Sequence, residues 1–582
     1  MMRKTANKAF TVLTAAAVCS GAWAANITGI DTVDKLVEAL KNNKGSYNYI
    51  YLSPGVYDVS GISMPKYDSK GDESGSCSNL SGYKVNILGT TSNPRDTVIY
   101  NSKGDNRIIY FTYGRLEHLT ISNGWAKTGN DSGHGGGVKT MNASTICSNV
   151  IVTCCRADGQ GGGVYGGTWN YCRMTQNTAS SHGGGAAGPT AANTGVQLDN
   201  CRVFGNVSGG NGGGVYFGRA KGGTVSSNNT ANVLGGGLYT VEARDTEVVF
   251  NRLMNTAASY GAGMYGGSAS NCVIAGNAIV KGQSGSRRGG GVYDTACTDC
   301  RIFANIVCYG EGAGVAGSNC TLDGCVISNN VPVPPTAEWG SGTGVYEVKY
   351  LRNCDVSGMS LAPGCPMYGC RVQGYTNAYY LAAGENVHTS GWFKGLSMLV
   401  DGKLAATNCL FAGNRMQSVF ACGEAGVFDL MNCTVAGNHA SFTFTGFTEP
   451  YAVANVANTI LSGNMKERDN SARDMYISDS GDNRFVFSNC LIGPVRNEME
   501  PAVVETGTVV SSSPGFNVDD AADPYSLLRS SPARKKGQVM DWMADACDIR
   551  GMTEFPRTVS GYVDIGCYQY WWRSYGTVFS VR

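Results

Sequence analysis

The sequence has little proline, little charge and few histidines. Of its 582 residues, 16 are proline and 15% are charged. Basic and acidic residues nearly balance, at 45 against 44, so the composition lacks the basic excess of nucleic-acid-binding proteins. The five histidines show no spacing typical of a metal site. We therefore predict no nucleic-acid partner and no bound metal.

Long hydrophobic runs are also lacking. The N-terminus combines Arg3, Lys4 and Lys8 with a short apolar stretch and the small-x-small sequence Ala22-Trp23-Ala24. These features predict a cleaved signal peptide over residues 1–24, because the apolar stretch is shorter than the ~20 residues that span a bilayer. We expect a protein that is secreted, or located at the cell surface or in the periplasm, with no membrane-spanning segment after cleavage.

Glycine, in contrast, is abundant, with 81 residues, and it recurs in one phrase. The phrase is a glycine triplet or its variant, then an apolar residue and, most often, tyrosine. It returns about every 22–30 residues, which is the signature of a repeat architecture, and the lack of a Gly-X-Y period excludes collagen. Its copies begin at Gly135, Gly161, Gly183, Gly212, Gly235, Gly261, Gly289, Gly312 and Gly342.

A second phrase alternates with the first and usually opens with cysteine, as in Cys272–Asn277 and Cys409–Asn414. The side chains of a strand alternate sides, so the cysteine and the residue two places later share the inner face. We predict small buried thiols rather than a disulfide framework. The final asparagine is expected at a turn, in left-handed geometry and bonded to backbone. The cysteines are Cys172, Cys201, Cys272, Cys300, Cys354, Cys370, Cys409, Cys433 and Cys490.

Short strands, bends at glycine or asparagine and a repeat of about 26 residues predict an all-β solenoid of parallel strands. Successive coils would stack about 4.8 Å apart. The sequence lacks the Leu-x-x-Leu-x-Leu pattern of a leucine-rich horseshoe, and its repeat is shorter than the units of about 40 residues or more that a propeller needs. Both folds are therefore excluded. Before the repeats, Val33, Leu36, Val37 and Leu40 form the apolar stripe of a capping helix, for which Asp31 is the expected N-cap. Residues 66–80 are expected to form a surface loop.

The glycine phrase and the Phe204-Gly205-Asn206 type of ending resemble the polymorphic outer-membrane-protein repeat. The opening helix and the Leu-Ser-Pro-Gly-Val-Tyr sequence that ends at Tyr57 resemble the start of right-handed parallel β-helices of the pectate-lyase-like superfamily. Near the C-terminus, Asp548–Gly551 and Val563–Tyr568 resemble the last part of secreted β-helix proteins of the choice-of-anchor type. The resemblance implies a right-handed parallel β-helix and does not by itself imply an activity.

The patterns divide the chain into five parts. Residues 1–24 are the signal peptide and residues 25–130 are the N-terminal cap with the first coils. Glycine-rich repeats occupy residues 131–372, further coils occupy residues 373–495, and a C-terminal closing region occupies residues 496–582.

Two outward columns are candidate ligand-binding residues. The first column is the residue that follows the inward apolar residue of each glycine phrase. One copy has a lysine there, Lys139, so we expect the column to be exposed and its tyrosines to stack on sugar rings. The residue after the cysteine is arginine in several repeats, which suits carboxylates or sulfates. The alternative for the tyrosines is purely structural stacking between coils. The candidates are Tyr165, Tyr216, Tyr239, Tyr265, Tyr293, Tyr346, Arg173, Arg202 and Arg301.

These observations favour a secreted or cell-surface protein without catalytic activity, adhesin-like or glycan-binding, whose partner is a polysaccharide or a host or cell-surface glycan. One alternative is a polysaccharide lyase or glycoside hydrolase acting on acidic glycans, which the resemblance also allows; only in a lyase would calcium be a cofactor. The other alternative is a purely structural envelope protein. No catalytic residue is assigned, because the acidic residues of the repeats are sparse and differ in their offsets from the glycine phrase.

Overall fold

The structure is a computed structural model of the chain. The predicted signal peptide lies outside the described residues, except for Ala24. The described residues are 24–43, 48–67, 73–128, 131–140, 144–189, 195–255, 258–280, 286–333, 344–358, 361–362, 365–374, 399–400, 403–422, 427–446, 453–466, 469–478, 484–498, 502–550 and 555–570.

The chain forms a right-handed parallel β-helix, which confirms the predicted fold. Most strands pair in parallel with the equivalent strands of neighbouring coils, and 42 of the described strands join in one sheet. We name the sides of a coil faces A, B, C and D, in the order in which the chain reaches them after the glycine phrase. Faces A, B and C belong to the large sheet, whereas face D forms sheets of nine and five strands.

Faces A and B are continuous in some coils and separate in others. Face A contains Val138–Thr140, Val164–Tyr165, Ala186–Ala187, Val292–Tyr293, Val315–Ala316, Val345–Tyr346 and Leu361–Ala362. Strands that run through both faces are Leu80–Gly89, Val215–Lys221, Leu238–Arg244 and Met264–Ser270. Face B contains Asn26–Ile30, Tyr49–Leu52, Thr168–Asn170, Val196–Asp199, Ala296–Thr298, Thr321–Asp323, Tyr350–Arg352, Met367–Tyr368, Lys403–Thr407, Val427–Met431, Val453–Ala457, Arg484–Ser488 and Ala502–Thr506.

Two long strands belong to face C and to the faces before it. Ile109–Ser122 runs through faces A, B and C, and Ile146–Thr153 runs through faces B and C. Face C further contains Gly55–Asp58, Thr97–Tyr100, Arg173–Thr175, Arg202–Phe204, Val225–Ser227, Glu247–Val249, Val273–Ala275, Arg301–Phe303, Val326–Ser328, Asp355–Ser357, Arg371–Gln373, Leu410–Ala412, Thr434–Ala436, Ile460–Ser462, Leu491–Ile492 and Val509–Val510.

Face D is built from very short strands in the first part of the helix and longer ones in the second. Its nine-stranded sheet contains Trp125–Ala126, Arg156–Ala157, Thr178–Ala179, Val207–Ser208, Thr230–Ala231, Arg252–Leu253, Ala278–Ile279, Ile306–Cys308 and Val331–Val333. Its five-stranded sheet contains Leu399–Val400, Arg415–Cys422, His439–Gly446, Met475–Ser478 and Arg496–Glu498. A further parallel pair joins Ser259–Tyr260 to Arg287–Arg288.

The N-terminal end corrects two details of the sequence analysis. Helix α1 spans Val33–Asn42 and buries Leu36 and Leu40 in the main core, as the apolar stripe predicts. Its N-cap is Thr32, whose side chain accepts the Lys35 backbone N–H, whereas Asp31 pairs with the Lys35 side chain at 2.8 Å. The predicted loop at residues 66–80 is wrong in part, because Met64–Tyr67 and Glu73–Cys77 form an antiparallel hairpin.

The interior of the coils follows the predicted columns. The apolar residue after each glycine phrase is fully buried from Val138 to Val345, and so are the nine predicted cysteines. No disulfide joins the cysteines of the described part of the chain. Burial raises the pKa of the Cys490 thiol to about 12, which keeps it neutral and unreactive. The prediction of small buried thiols is confirmed.

The asparagines form a buried ladder rather than left-handed turns. Asn251 donates to the Ser226 carbonyl at 2.9 Å and to the Asn277 side chain at 3.0 Å, and the next coil repeats the arrangement. The positive φ falls instead on the residue before, as at Phe250 and Gly276. The predicted backbone bonding is confirmed and the predicted geometry is wrong, because the inward amide needs ordinary strand geometry to reach the coils on both sides.

The segment after Val510 turns back along face C of the C-terminal coils. Its residues Ile549, Cys567 and Tyr568 pack on Leu410 and Ala412. Hydrogen bonds fix the contact: the Cys567 N–H donates to the Thr434 hydroxyl at 3.1 Å. In the part of the chain that the structure describes, the helical stretches besides α1 are the short 3-10 helices Asp131–Gly133 and Asp541–Met543. Among the described residues, no helix is long and apolar enough to cross a membrane.

Candidate functional site

The predicted tyrosines occupy one column of face A. Parallel register aligns them coil by coil, with Ala187 and Ala316 as interruptions. The same register places Tyr110 and Lys139 in the column before Tyr165. We call this set the tyrosine column; its residues are Tyr110, Lys139, Tyr165, Ala187, Tyr216, Tyr239, Tyr265, Tyr293, Ala316 and Tyr346.

Four consecutive rings of the column stack on one another. Centroids lie 5.0 Å apart for Tyr216 and Tyr239, 5.2 Å for Tyr239 and Tyr265, and 5.5 Å for Tyr265 and Tyr293. Their planes lie within 14° of parallel. This arrangement follows from the coil spacing, which brings in-register aromatic side chains to the separation that offset stacking prefers.

The stacking limits which parts of the tyrosine rings a ligand can contact. None of the six predicted tyrosines is exposed; each is half-buried, because its neighbours cover the faces of its ring. The expectation of an exposed row that stacks on sugar rings is therefore corrected. Five hydroxyls have no hydrogen-bond partner in the described part of the chain, and none of the five oxygens is buried, so the column presents a row of phenol edges. They belong to Tyr165, Tyr216, Tyr239, Tyr265 and Tyr293.

Two histidines fill places where the column has no tyrosine. His134 stacks on Tyr165 with centroids 4.7 Å apart, and His182 stacks on Tyr216 at 4.5 Å. Their coils carry Lys139 and Ala187 in the column. Each Nδ1 accepts a backbone N–H, from Gln160 at 2.9 Å for His134 and from Asn211 at 3.0 Å for His182. Burial lowers the pKa of His182, which favours the neutral ring in the stack.

An ion cluster occupies the C-terminal end of the column. The Arg288 guanidinium lies 4.6 Å from the centroid of the Tyr346 ring. It pairs with Glu311 at 3.1 Å and with Glu347 at 2.8 Å. Burial raises the pKa of Glu311, while the charge of Arg288 opposes that rise. Two carboxylates and an arginine thus converge where Ala316 leaves room in the column.

The predicted arginines lie on a different side of the helix. Arg173, Arg202 and Arg301 each begin a face C strand and are exposed, as predicted. Arg173 pairs in register with Arg202, but Val225, Glu247 and Val273 intervene before Arg301. A face B strand separates them from the tyrosine column along every coil. The structure therefore does not bring the two sets of predicted residues into one surface.

A cavity opens at the N-terminal end of the tyrosine column. Its volume is about 240 Å³, and Tyr110 is one of its walls. Lys66 and Cys77 come from the N-terminal hairpin, whereas Arg107, Trp125 and Lys127 come from the coil that carries Tyr110. Burial raises the pKa of the Cys77 thiol, and the charges of Arg107 and Lys66 oppose that rise.

Aromatic rings hold the positive charges around this cavity. Lys127 Nζ and Arg156 Cζ each lie 4.7 Å from the centroid of the Trp125 ring. Arg107 Cζ and Lys139 Nζ lie 5.8 and 5.7 Å from that of Tyr110. Cation–π attraction places charge at such distances. The result is a basic, partly aromatic cavity.

Sequence reasoning missed the cavity for identifiable reasons. Tyr110 follows Asn106–Ile109 instead of a glycine phrase, so the repeat pattern did not include it. Lys66 lies in the segment interpreted as a loop. A strand-by-strand alignment of Ile109–Phe111 with Val138–Thr140 is the signal that would have found Tyr110. No comparable signal connects the hairpin to this coil.

The described residues contain no group of three or more histidine, cysteine, aspartate or glutamate side chains that could hold a metal ion. Charged side chains converge on the tyrosine column at the basic cavity and at the Arg288 cluster.

No family model and no curated protein matches the chain. Among solved structures, it is similar to the pectate lyase Pel9A, with 11% identity over 90% of this chain and 88% of that one, and a TM-score of 0.19. It is also similar to the A-module of the mannuronan C-5 epimerase AlgE6 of Azotobacter vinelandii, with 11% identity, 84% and 99% coverage and a TM-score of 0.16. The catalytic domain of a GH87 α-1,3-glucanase aligns at 10% identity, 87% and 68% coverage and a TM-score of 0.16.

Similarity at this level carries no argument about activity. The assignment of the fold rests on the strand pairing of the chain itself.

Proposed function

We propose that this protein is a secreted or cell-surface β-helix protein that binds a glycan along the tyrosine column. The observation that supports the proposal is the row of unpartnered phenol hydroxyls, repeated once per coil from Tyr216 to Tyr293. Such a row suits a polymer that carries hydroxyl groups at regular intervals. The predicted signal peptide supports a location where the protein meets extracellular polysaccharide.

The mode of binding differs from sugar stacking. Because neighbouring rings cover each other, the ligand would lie across the ring edges and exchange hydrogen bonds with the hydroxyls. Burial raises the pKa of the Tyr216 and Tyr265 phenols, so both hydroxyls remain protonated donors at neutral pH. The rigid stack holds them in place before binding, which reduces the entropy lost when the complex forms.

The test replaces Tyr239 and Tyr265 with phenylalanine. These substitutions keep the aromatic stack and remove only the hydroxyls, so they separate a binding role from the structural one. Isothermal titration of a panel of neutral and acidic oligosaccharides identifies a ligand for the unaltered protein. The double variant is then expected to bind it about thirtyfold more weakly, at about 1 kcal/mol for each of the two lost hydrogen bonds, with an unchanged Tm.

The matched control is Tyr171→Phe, which removes an exposed hydroxyl outside the column. It should leave both affinity and Tm unchanged. If the Tyr239→Phe/Tyr265→Phe variant binds the oligosaccharide as tightly as the original protein, the hydroxyl row is not the binding surface. If no member of the panel binds, the glycan-binding proposal is wrong and the column only stabilises the stacking of the coils.

A second candidate function is a glycoside hydrolase or polysaccharide lyase, favoured by the convergence of Glu311, Glu347 and Arg288. Hydrolases use two carboxyl groups, of which one is kept protonated by a raised pKa. Burial raises the pKa of Glu311, although both carboxylates pair with the same guanidinium. The cluster lies beside Tyr346, at the end of the tyrosine column.

Release of reducing or unsaturated ends from acidic polysaccharides measures this activity. Under the enzyme hypothesis, Glu311→Gln abolishes turnover while leaving oligosaccharide affinity in place. Activity that persists in Glu311→Gln would rule out the cluster as its source. Under the binding proposal, purified protein releases no ends at all.

A further inference from the structure

The basic cavity at residues 66–127 has a chemistry that the tyrosine column lacks. Three of the residues that line it are cationic, Lys66, Arg107 and Lys127, and none is acidic. Asn79, Asn106, Ser76 and Ser78 add neutral hydrogen-bonding groups to the same walls. A volume of about 240 Å³ is too small for a polymer segment and large enough for one charged substituent or one sugar residue.

Arg107 is held rigidly in this wall. Its side chain is 5% exposed, and its Nε donates to the carbonyls of His134 and Gly135 at 3.0 Å. Its Nη2 donates to the His134 carbonyl at 2.7 Å. These bonds place the planar guanidinium against Tyr110 at a fixed angle. Because Nε and Nη2 are engaged by these carbonyls, Arg107 contributes to the cavity a positive charge that is held in a fixed place.

Lys127 is positioned by Trp125. Its ammonium group lies 4.7 Å from the centroid of the Trp125 ring, and the ring N–H donates to Asp158 at 2.8 Å. Asp158 also accepts from the backbone N–H and the hydroxyl of Thr128. The Asp158 carboxylate thus orients the ring. Arg156, on the same ring, adds to the positive potential.

We propose that this cavity binds an oxyanion: a carboxylate, sulfate or phosphate group carried by a sugar at the N-terminal end of the tyrosine column. Three wall cations would neutralise the anion, and the neutral side chains would accept or donate the remaining hydrogen bonds. Since Tyr110 belongs both to the cavity and to the column, a bound anion would fix where a glycan begins along the rod. The sugar part of this inference rests on the proposed function, whereas the anion part does not.

The first test uses inorganic sulfate as the probe and needs no glycan. The protein is acetylated on lysine in sodium sulfate and in sodium chloride of equal ionic strength, and modification is read peptide by peptide by mass spectrometry. Sulfate is expected to slow acetylation of Lys66 and Lys127 several-fold. Lys221 is the internal control, because its exposed side chain pairs with Asp199 on the surface, away from the cavity. Equal rates for all three lysines in both salts would overturn the proposal.

The second test identifies the source of the anion. Sulfated, uronate and phosphorylated hexasaccharides, with a neutral hexasaccharide as reference, are titrated into the protein and into Lys66→Ala/Lys127→Ala. The preferred charged sugar is expected to lose about tenfold in affinity, as charge-assisted hydrogen bonds are lost, and the neutral one to lose nothing. Arg202→Ala/Arg301→Ala is the matched control, since it removes the same charge from face C and should alter none of the four affinities.

The outcomes separate this inference from the proposed function. If a neutral hexasaccharide binds and the cavity variant binds every charged one normally, the anion site is wrong and the glycan proposal stands. If no hexasaccharide binds but sulfate protects Lys66 and Lys127, the glycan proposal is wrong and the anion site stands. Equal loss in the cavity and face C variants would show that only overall charge matters, which overturns the site.

Discussion

Face C presents its outward side chains to solvent between residues 173 and 357, but to another part of the same chain between residues 410 and 491. In the first region the outward column includes Arg173, Arg202, Glu247 and Arg301, all exposed. In the second it consists of Leu410, Thr434, Ile460 and Leu491, of which none is more than 1% exposed. The backbone register is continuous through both regions.

The difference shows that one strand position can be surface or core according to what packs on it. The segment after Val510, which we call the closing segment, covers the second region with Leu527, Ala533 and Ile565, which form a cluster with Ile460 and Leu491. Arg371 marks the boundary. It pairs with Asp355 of the preceding coil at 3.4 Å and with Asp523 of the closing segment at 3.2 Å.

The two regions also differ inside. The glycine-rich coils bring their backbones close at the triplets, and their interior contains aliphatic residues, cysteine, the asparagine ladder and the buried Trp169. The C-terminal coils lose the triplets and gain longer face D strands. Their interior includes a cluster of phenylalanines, in which Phe420 and Phe444 stack at 5.3 Å. The phenylalanine cluster thus accompanies the longer face D strands.

The largest effect is expected where the closing segment covers face C. Ile460→Ala should destabilise the protein by about 3 kcal/mol, because it opens a cavity between the coil and the closing segment. Val326→Ala, in the same column but 41% exposed, should cost less than about 0.5 kcal/mol. Urea unfolding measures both. Similar costs at the two positions would mean that the closing segment does not cover the C-terminal coils.

A smaller effect is expected at the glycine triplets. The Cβ of an alanine at position 214 would lie 2.7 Å from the Gly237 carbonyl oxygen, so Gly214→Ala should separate two coils and cost about 2 kcal/mol. At Gly463, in the C-terminal coils, a Cβ would meet nothing within 4 Å. Gly463→Ala should therefore cost only the strain of its φ of +69°, about 1 kcal/mol. Unfolding curves that rank the two variants the other way would contradict this account.

The next smaller effect is the pH dependence of stability, which should differ between the glycine-rich coils and the C-terminal coils. Burial lowers the pKa of His182, so the unfolded chain takes up its proton at a higher pH than the folded chain. The stability linked to this group is full above about pH 6.5 and declines as the pH falls below it. Protection factors against hydrogen exchange, which correct for the lower intrinsic exchange rate in acid, should fall over residues 183–239 on acidification and change less over residues 427–462.

His182→Phe is the matched variant, since it keeps an aromatic ring on Tyr216 and cannot titrate. Its protection factors over residues 183–239 should no longer fall between about pH 6.5 and 5. If that fall is unchanged, another group causes it.

The smallest effect is expected at the exposed arginines. Arg202→Ser and Arg301→Ser remove charges that solvent already surrounds, so each should change the free energy of unfolding by less than about 0.5 kcal/mol. Thermal unfolding measures the change. A larger loss would indicate that this part of face C is also buried against another part of the protein, as its C-terminal part is against the closing segment.

Much of the fold could be predicted because a solenoid repeats the same decision in every coil. The alternation of apolar and polar residues in Gly291–Tyr293 or Cys300–Ile302 indicates which side chains point inward. The same alternation recurs in the neighbouring coils. The six tyrosines of the candidate site were found in this way. Thr32 and Asp31 could not be told apart as caps, because both residue types suit that position and only the final backbone geometry selects one.

The sequence alone determined the coil, its period, its inward columns and the alignment of tyrosines, because these depend on local alternation repeated in register. Only the tertiary structure decided that the tyrosine faces are covered, that His134 and His182 fill the column, and that Lys66 meets Arg107 around a cavity. It also decided which part of face C is buried. These features join residues from different coils or from a segment that returns along the rod, and no local pattern encodes such contacts.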